Sequence, residues 1–381
     1  LLVTSPLSQA KAYLEAFNFS RSLASADLQY SDTNFPPAYC SSIWSEAMIL
    51  RDLGNKPSSL FLSQLFRLLR GWQDHQTEQQ YGEQFPAGAP INNDVYFLLE
   101  RGIDWCIEKV QQWPQPFLAY LHFMPPHYPY VPRKDFLGRF NDGYRPVEKP
   151  RQRFSEKGAT KRVLNEKRQA YDEYLAYADS EFGRLYDYLD RSGLLENTTL
   201  VFTSDHGEMF ERGVWGHSTR VMYQPLLHTP LLISQPGQRQ RQDIHTATSS
   251  VDLLPTLLYG MNAASMNQPL PDWLEGQILP GIQVRAASEA SRASSRPIYA
   301  MELKENAQYA PLTKGTFVLF QDGYKLIHYQ GYKEALDDKD ELYNLANDPE
   351  ELDNRAEAEK SLAKEMRQAL VEKLDEMNQR F

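Results

Sequence analysis

The feature that most limits the fold of this chain is an alternation of amphipathic helices with short apolar strands. Tyr171, Leu175, Ala178, Phe182, Leu185 and Leu189 recur every three or four residues, which sets them along one face of a helix. Ser192-Gly193 follows as a glycine stop, and the β-branched run 198–203 then reads as a strand. The alternation returns at 230–233 and 251–259. Upstream, a helix over 93–112 precedes the proline-bounded apolar run 116–124, PFLAYLHFM, which reads as a buried strand. Such a pattern predicts α/β layers around a mainly parallel sheet flanked by helices.

The ends of the chain read differently. Residues 1–102 suggest helices joined by loops, with an amphipathic run at 58–69. Residues 261–297, rich in Ala, Ser, Pro and Gln, read as a connection, so the expected organisation is a core over 1–290 and an α+β subdomain over 291–381. That subdomain would carry strands at 298–303, 316–320 and 324–329 and a charged helix over 354–381. Gln321-Asp322-Gly323 between the last two strands is a hairpin signal.

Composition excludes several classes. The 381 residues, 41% apolar and 24% charged, suit a globular α/β domain with a smaller appendage rather than a disordered or fibrous chain. Forty basic against fifty acidic residues give a net charge of −10, so nucleic acid is not the expected partner and an anionic substrate would be captured locally. No window approaches 18 uninterrupted apolar residues, and no basic region precedes an apolar one at the start, so neither a membrane span nor a signal peptide is expected. Cys40 and Cys106 are too few for a disulfide framework or a zinc cluster; one disulfide or two free thiols remain open. The sequons at Asn18 and Asn197 carry little weight.

The strand at 198–203 runs into Ser204-Asp205-His206-Gly207-Glu208. At the carboxyl edge of a parallel sheet, loops vary while strands fix their positions, so reactive groups collect there. Once the chain turns at Gly207, Asp205 and His206 can face one centre, and a carboxylate beside a neutral imidazole is half of a divalent-metal site. A bare Asp-His dipeptide is more often a turn cap and a polar loop residue. Two further histidines shift the balance: His127 ends the 116–124 run, and His217 lies eleven residues beyond His206. Imidazoles can donate a proton to a leaving group or bind an anionic oxygen near neutral pH. Glu208 is read as the carboxylate that holds His206. His75 is expected in solvent, His228 packed beneath a strand, and His245 and His328 without neighbouring ligand types.

TLVFTSDHGEMFERGVWGHSTRVMYQPLLHTPLLISQPG resembles the metal-ligand segment of the sulfatase family in the alkaline-phosphatase-like superfamily. PFLAYLHFMPPHYPYVP resembles that family's upstream strand and histidine loop, VDLLPTLL a later helix, DELYNLANDPEELDN the start of its C-terminal subdomain, and FNFSRSLASADLQYS a degraded early segment. The resemblance implies an alkaline-phosphatase-like fold: a mainly parallel sheet between helices, with a small C-terminal antiparallel sheet plus helix. It implies that Asp205 and His206 bind one divalent cation (Ca, Mn or Mg), that His127 contacts or protonates the leaving oxygen, and that His217 binds the anion or acts as general acid. The expected activity is hydrolysis of small-molecule or glycan sulfate esters in an extracytoplasmic compartment. The family's Cys-x-Pro-x-Arg nucleophile pattern is not matched: Thr4-Ser5-Pro6-Leu7-Ser8 lacks the arginine, and Cys40 lacks proline and arginine and reads as a structural thiol. The nucleophile and remaining acidic ligands are therefore expected upstream of Leu1. Asp-His at the ligand pair and histidine at 217 keep a phosphonate or phosphodiester hydrolase, or a phosphoglycol-type transferase, as rivals, beside a catalytically silent binding domain.

Overall fold

The computed structural model describes residues 68, 72, 75, 78–88, 91–92, 95–96, 98–113, 117–141, 143–144, 146–152, 158–217, 219–262, 275–282, 296–306, 310–332 and 339–379. The readings of Cys40, of residues 4–8, of the Asn18 sequon and of nearly all of 58–69 fall outside them. Beyond the first two residues the chain divides into two compact units, 3–147 with 162–200, and 148–161 with 201–381.

In the first unit two minimal strands, β1 (Ile91–Asn92) and β2 (Val95–Tyr96), pair antiparallel before helix α1 (Leu99–Lys109). α1 buries Leu99, Gly102, Ile103 and Cys106 along one stripe; the Cys106 thiol is free, and burial pushes it up to about 12, which keeps it protonated. Helix α2 (Lys161–Arg191) starts ten residues before the expected stripe and stops at Gly193, whose φ of 72° only glycine adopts cheaply. Its buried face is rotated from the aliphatic pattern. Tyr174, Tyr177, Glu181, Leu185 and Leu189 are inside while Leu175 is exposed. The large rings displace the smaller side chains; Tyr177 donates to Glu100, and Arg133 Nη1 spans Glu100 at 2.9 Å and Glu181 at 3.0 Å. Residues 117–124 form no regular strand; among the described residues no ladder includes them, and an extended run becomes a strand only through a neighbour's backbone.

In the second unit β3 (Leu200–Thr203) pairs with β6 (Leu231–Ser234). Between them lie the hairpin β4 (Met209–Glu211) and β5 (Val214–Gly216) and the single-turn helix α3 (Gln224–Leu227). The hairpin turns through Arg212 and Gly213 at φ 57° and 80°. Helix α4 (Leu253–Asn262) follows a capping box of Ser249 and Asp252. The C-terminal sheet is antiparallel in the order β10-β9-β8-β7, formed by β7 (Ile298–Glu302), β8 (Gly315–Gln321), β9 (Tyr324–Gln330) and β10 (Lys339–Asn344). Asp322 and Gly323, at φ 50° and 81°, make the expected β8–β9 turn.

Alternation along these strands splits the sheet into two faces. Phe317, Leu319, Leu326 and Leu342 pack on Ala363, Met366, Leu370 and Leu374 of helix α5 (Lys360–Asn378). Val318, Ile327, Tyr329 and Tyr343 face the other way and share a core with Met209 of β4 and with Val221, Met222, Tyr223 and Leu226 around α3. The segment after β3 is thus packed on one face of the C-terminal sheet. No helix among the described residues is long and apolar enough to cross a membrane.

Candidate active site

β3 ends where Thr203 Oγ1 donates to Pro230 O at 2.9 Å, fixing the strand's last residue beside the start of β6. The chain turns at once: Ser204 Oγ donates to His206 O at 2.5 Å, and Asp205 Oδ1 accepts the His206 amide at 3.0 Å. Gly207 is needed for space. A Cβ there would lie 1.9 Å from Pro225 O and 3.3 Å from Leu226 Cα, and the Gly207 amide donates to Leu226 O at 2.9 Å. The close approach of α3, rather than a left-handed backbone, demands glycine.

This turn directs Asp205 and His206 to one side. His206 Nδ1 lies 2.8 Å from Gly207 O; a carbonyl only accepts, so Nδ1 carries the hydrogen and a neutral ring keeps its lone pair on Nε2. Nε2 stands 3.8 Å from Asp205 Oδ2, too far for a hydrogen bond. Metal–nitrogen and metal–oxygen bonds of about 2.0–2.2 Å put two donors sharing one ion within about 4.2 Å of each other. The gap therefore fits a divalent cation between these two donors. Their side chains are 45% and 38% exposed, so an ion can reach them. Among the described residues no group of three or more His, Cys, Asp or Glu side chains could hold a metal ion.

His217 joins them through the hairpin register. Met209 pairs with Gly216 and Phe210 with Trp215, which places Glu208 opposite His217 one step beyond the ladder. His217 Nδ1 donates to Glu208 at 3.1 Å, and the imidazole of His217 lies against that of His206 with centroids 4.0 Å apart. Glu208, only 5% exposed, therefore holds His217 rather than His206, which takes a backbone carbonyl instead. Sequence order alone does not show this pairing, because it depends on a hairpin whose first turn residue, Arg212, gives no turn signal.

The remaining histidines disperse. His127 belongs to the first unit, where its Nδ1 lies 2.7 Å from Tyr128 O and its amide donates to Met124 O. His75, His228 and His245 are exposed, so His228 does not pack beneath a strand. His328, without neighbouring ligand types in the sequence, is buried on β9 and paired to Asp340 on β10 at 2.8 Å, a cross-strand contact in an antiparallel register. Asp205, His206 and His217 thus share one edge of the second unit, and none of the other described histidines in that unit joins them.

A family model described as Sulfatase matches residues 15–263, and one described as N-sulphoglucosamine sulphohydrolase, C-terminal, matches residues 211–380. The chain is 30% identical over 262 residues to choline-sulfatase of Rhizobium meliloti, covering 64% of this chain and 47% of that protein. To arylsulfatase K of Gallus gallus it is 31% identical over 200 residues, covering 52% and 35%. It thus spans less than half the length of these curated relatives. Among solved structures, yidJ of Bacteroides fragilis superposes with TM-score 0.55 at 22% identity, covering 72% of this chain and 57% of that one. The phosphonate monoester hydrolase of Agrobacterium radiobacter gives TM-score 0.54 at 20% identity, covering 72% and 60%. At such identities the likeness speaks for the fold, the alkaline-phosphatase-like α/β arrangement with its small C-terminal antiparallel sheet.

Proposed function

From the premise that this chain belongs to the sulfatase family, we propose that it forms the metal-ligand and proton-transfer half of a sulfate ester hydrolase. The observation that carries the reading is the convergence of Asp205, His206 and a carboxylate-held His217 just beyond β3. Asp205 and His206 would hold one divalent cation, Ca, Mn or Mg, which when bound supplies fixed positive charge for the ester's oxygens.

The rest of the work belongs to side chains. His217, with Nδ1 on Glu208, is assigned to binding an anionic sulfate oxygen or passing a proton to the leaving oxygen. Glu208 keeps that ring oriented. His127, whose Nδ1 lies against Tyr128 O, is assigned to the leaving oxygen. Substrates of this reading are small-molecule or glycan sulfate esters, in line with an ulvan-active sulfatase among the relatives, 26% identical over 245 residues, and the compartment of this reading is extracytoplasmic.

The test measures the natural full-length protein on 4-nitrophenyl sulfate, 4-nitrophenyl phosphate and a phenylphosphonate monoester, with metal content determined in parallel. Sulfate release with kcat/KM about a hundredfold or more above the phosphorus esters is expected, since a site built for one anion rejects another by unpaired charge. Preference for the phosphonate would transfer the reading to the phosphoryl rival. No turnover and no bound metal would leave a silent binding domain.

A further inference from the structure

Beneath the site, in the core it shares with the C-terminal sheet, lies a second acid–base pair. Lys325 of β9 and Glu351 are wholly buried, with Nζ to Oε1 2.6 Å. Two charges withdrawn from water cost more than their attraction returns unless their remaining bonding capacity is filled. Here it is filled by the segment next to the site. Glu351 Oε2 accepts the backbone N–H of Gln224 at 2.8 Å, and Gln224 Oε1 lies 3.5 Å from Lys325 Nζ. Glu351 adopts φ 53°, a left-handed conformation a non-glycine residue keeps only where its surroundings impose it. Arg212, at the β4–β5 turn, donates to its carbonyl and lies 4.1 Å over the Tyr223 ring.

Gln224 opens α3, which at four residues has no helical stability of its own. The position of α3 matters because Leu226 O receives the Gly207 amide and Pro225 O occupies the space a Cβ on Gly207 would need. Direct contacts therefore run from Lys325 to Glu351, to the first amide of α3, to the carbonyls of Pro225 and Leu226, and to the residue that carries His206.

We propose that Glu351, held in place by Lys325, is a positioning residue for the site: by anchoring α3 through the Gln224 amide it sets where Gly207, and with it Asp205 and His206, can lie. The inference rests on the cation-holding reading of Asp205 and His206, and its consequence for the loop is measurable without a metal. A purely structural ion pair would be replaceable by any neutral pair of similar volume. A positioning pair is replaceable only if the acceptor for Gln224 survives.

Three variants of the full-length protein separate these cases. Lys325→Met with Glu351→Gln removes both charges and keeps the acceptor. Lys325→Met with Glu351→Leu removes the acceptor as well. Gln224→Pro removes the donor at a helix position where proline is tolerated, and it serves should the leucine variant fail to fold. Hydrogen exchange across residues 204–209 and Mn²⁺ affinity by calorimetry are read well below each Tm. The leucine and proline variants are expected to exchange this segment faster and to bind Mn²⁺ about tenfold more weakly, as loss of a ligand's support does; the glutamine variant is expected to match wild type on both. Exchange at 204–209 unchanged in the leucine and proline variants, or raised equally in the glutamine variant, overturns the proposal. Wild-type protein that binds no Mn²⁺ sinks the cation reading alone, and the exchange result still decides the role of Glu351.

Discussion

Two acid–base pairs in the second unit differ in nearly every respect. The Asp205 and His206 side chains stand 3.8 Å apart, open to solvent, each bonded to the backbone of the residue that follows it but not to the other side chain. Lys325 and Glu351 close to 2.6 Å with no exposed surface, and their other bonds run to Gln224. A pair that serves the fold leaves none of its polar atoms unmet, because unmet polarity in the interior is costly. A pair that serves a ligand keeps capacity unspent. That criterion supports the proposal that the edge beyond β3 takes a ligand while the core pair holds its support.

The largest effect that would sharpen the contrast is at the open pair. Asp205→Asn keeps the shape and the bond to the His206 amide but removes the charge; kcat/KM of the full-length protein on a sulfate ester should fall about 10²–10³-fold, in line with loss of one charge-stabilising group, with Tm nearly unchanged. Activity retained would break the comparison outright. The next effect separates two carboxylate-bound histidines. His217→Gln should cost about 10²-fold or more in kcat, the scale of a lost proton donor, and little stability. His328→Gln should instead cost stability, about 1 kcal/mol, by removing a buried imidazole's bond to half-buried Asp340, which keeps Arg367, and should spare the rate per folded molecule.

What the sequence shows of this contrast depends on distance along the chain. The end of β3, the glycine stop of α2 and the Asp322-Gly323 hairpin are legible because each is written in a few adjacent residues. Asp205 and His206 are visible for the same reason. The run 117–124 resembles a strand in composition alone, and composition does not supply a ladder. The three- and four-residue spacing places the α2 face one step away from the buried one, since Tyr174 and Tyr177 bury more surface than Leu175 and Tyr177 satisfies its hydroxyl on Glu100. The partners of Glu208, His328 and Glu351 could not be read, for they depend on register or on folding across 9, 12 and 127 residues. Lys325 looks like any solvated lysine of a hairpin until β9 is laid in its sheet.

A smaller effect links the two pairs. Gly207→Ala would drive a Cβ to 1.9 Å from Pro225 O, so α3 or the 204–209 loop must shift. Overpacking of this kind costs about 1–3 kcal/mol. Urea denaturation should show that loss, and calorimetry should show weakened cation binding beyond what lower stability explains. Loss of stability with cation binding intact would mean that the open pair tolerates movement of its support.

The smallest effect is a pH slope at the closed pair. Burial, offset in part by Glu351, brings the Lys325 ammonium down from 10.5 to about 8. Below pH 8 the lysine is charged whether the chain is folded or not, and the cost of burying that charge is fully present. Between about 8 and 10.5 the folded chain releases this proton while the unfolded chain keeps it, so stability gains as pH rises. Buried Tyr223 and Tyr343 act in the opposite sense above pH 10, because burial holds their hydroxyls protonated, but they are common to wild type and variant. Urea unfolding of wild type against Lys325→Met with Glu351→Gln, from pH 7.5 to 10, should therefore show wild type gaining on the order of 1–3 kcal/mol relative to the neutral pair. A flat difference would mean that water reaches Lys325, and the two pairs would then differ in geometry but not in solvation.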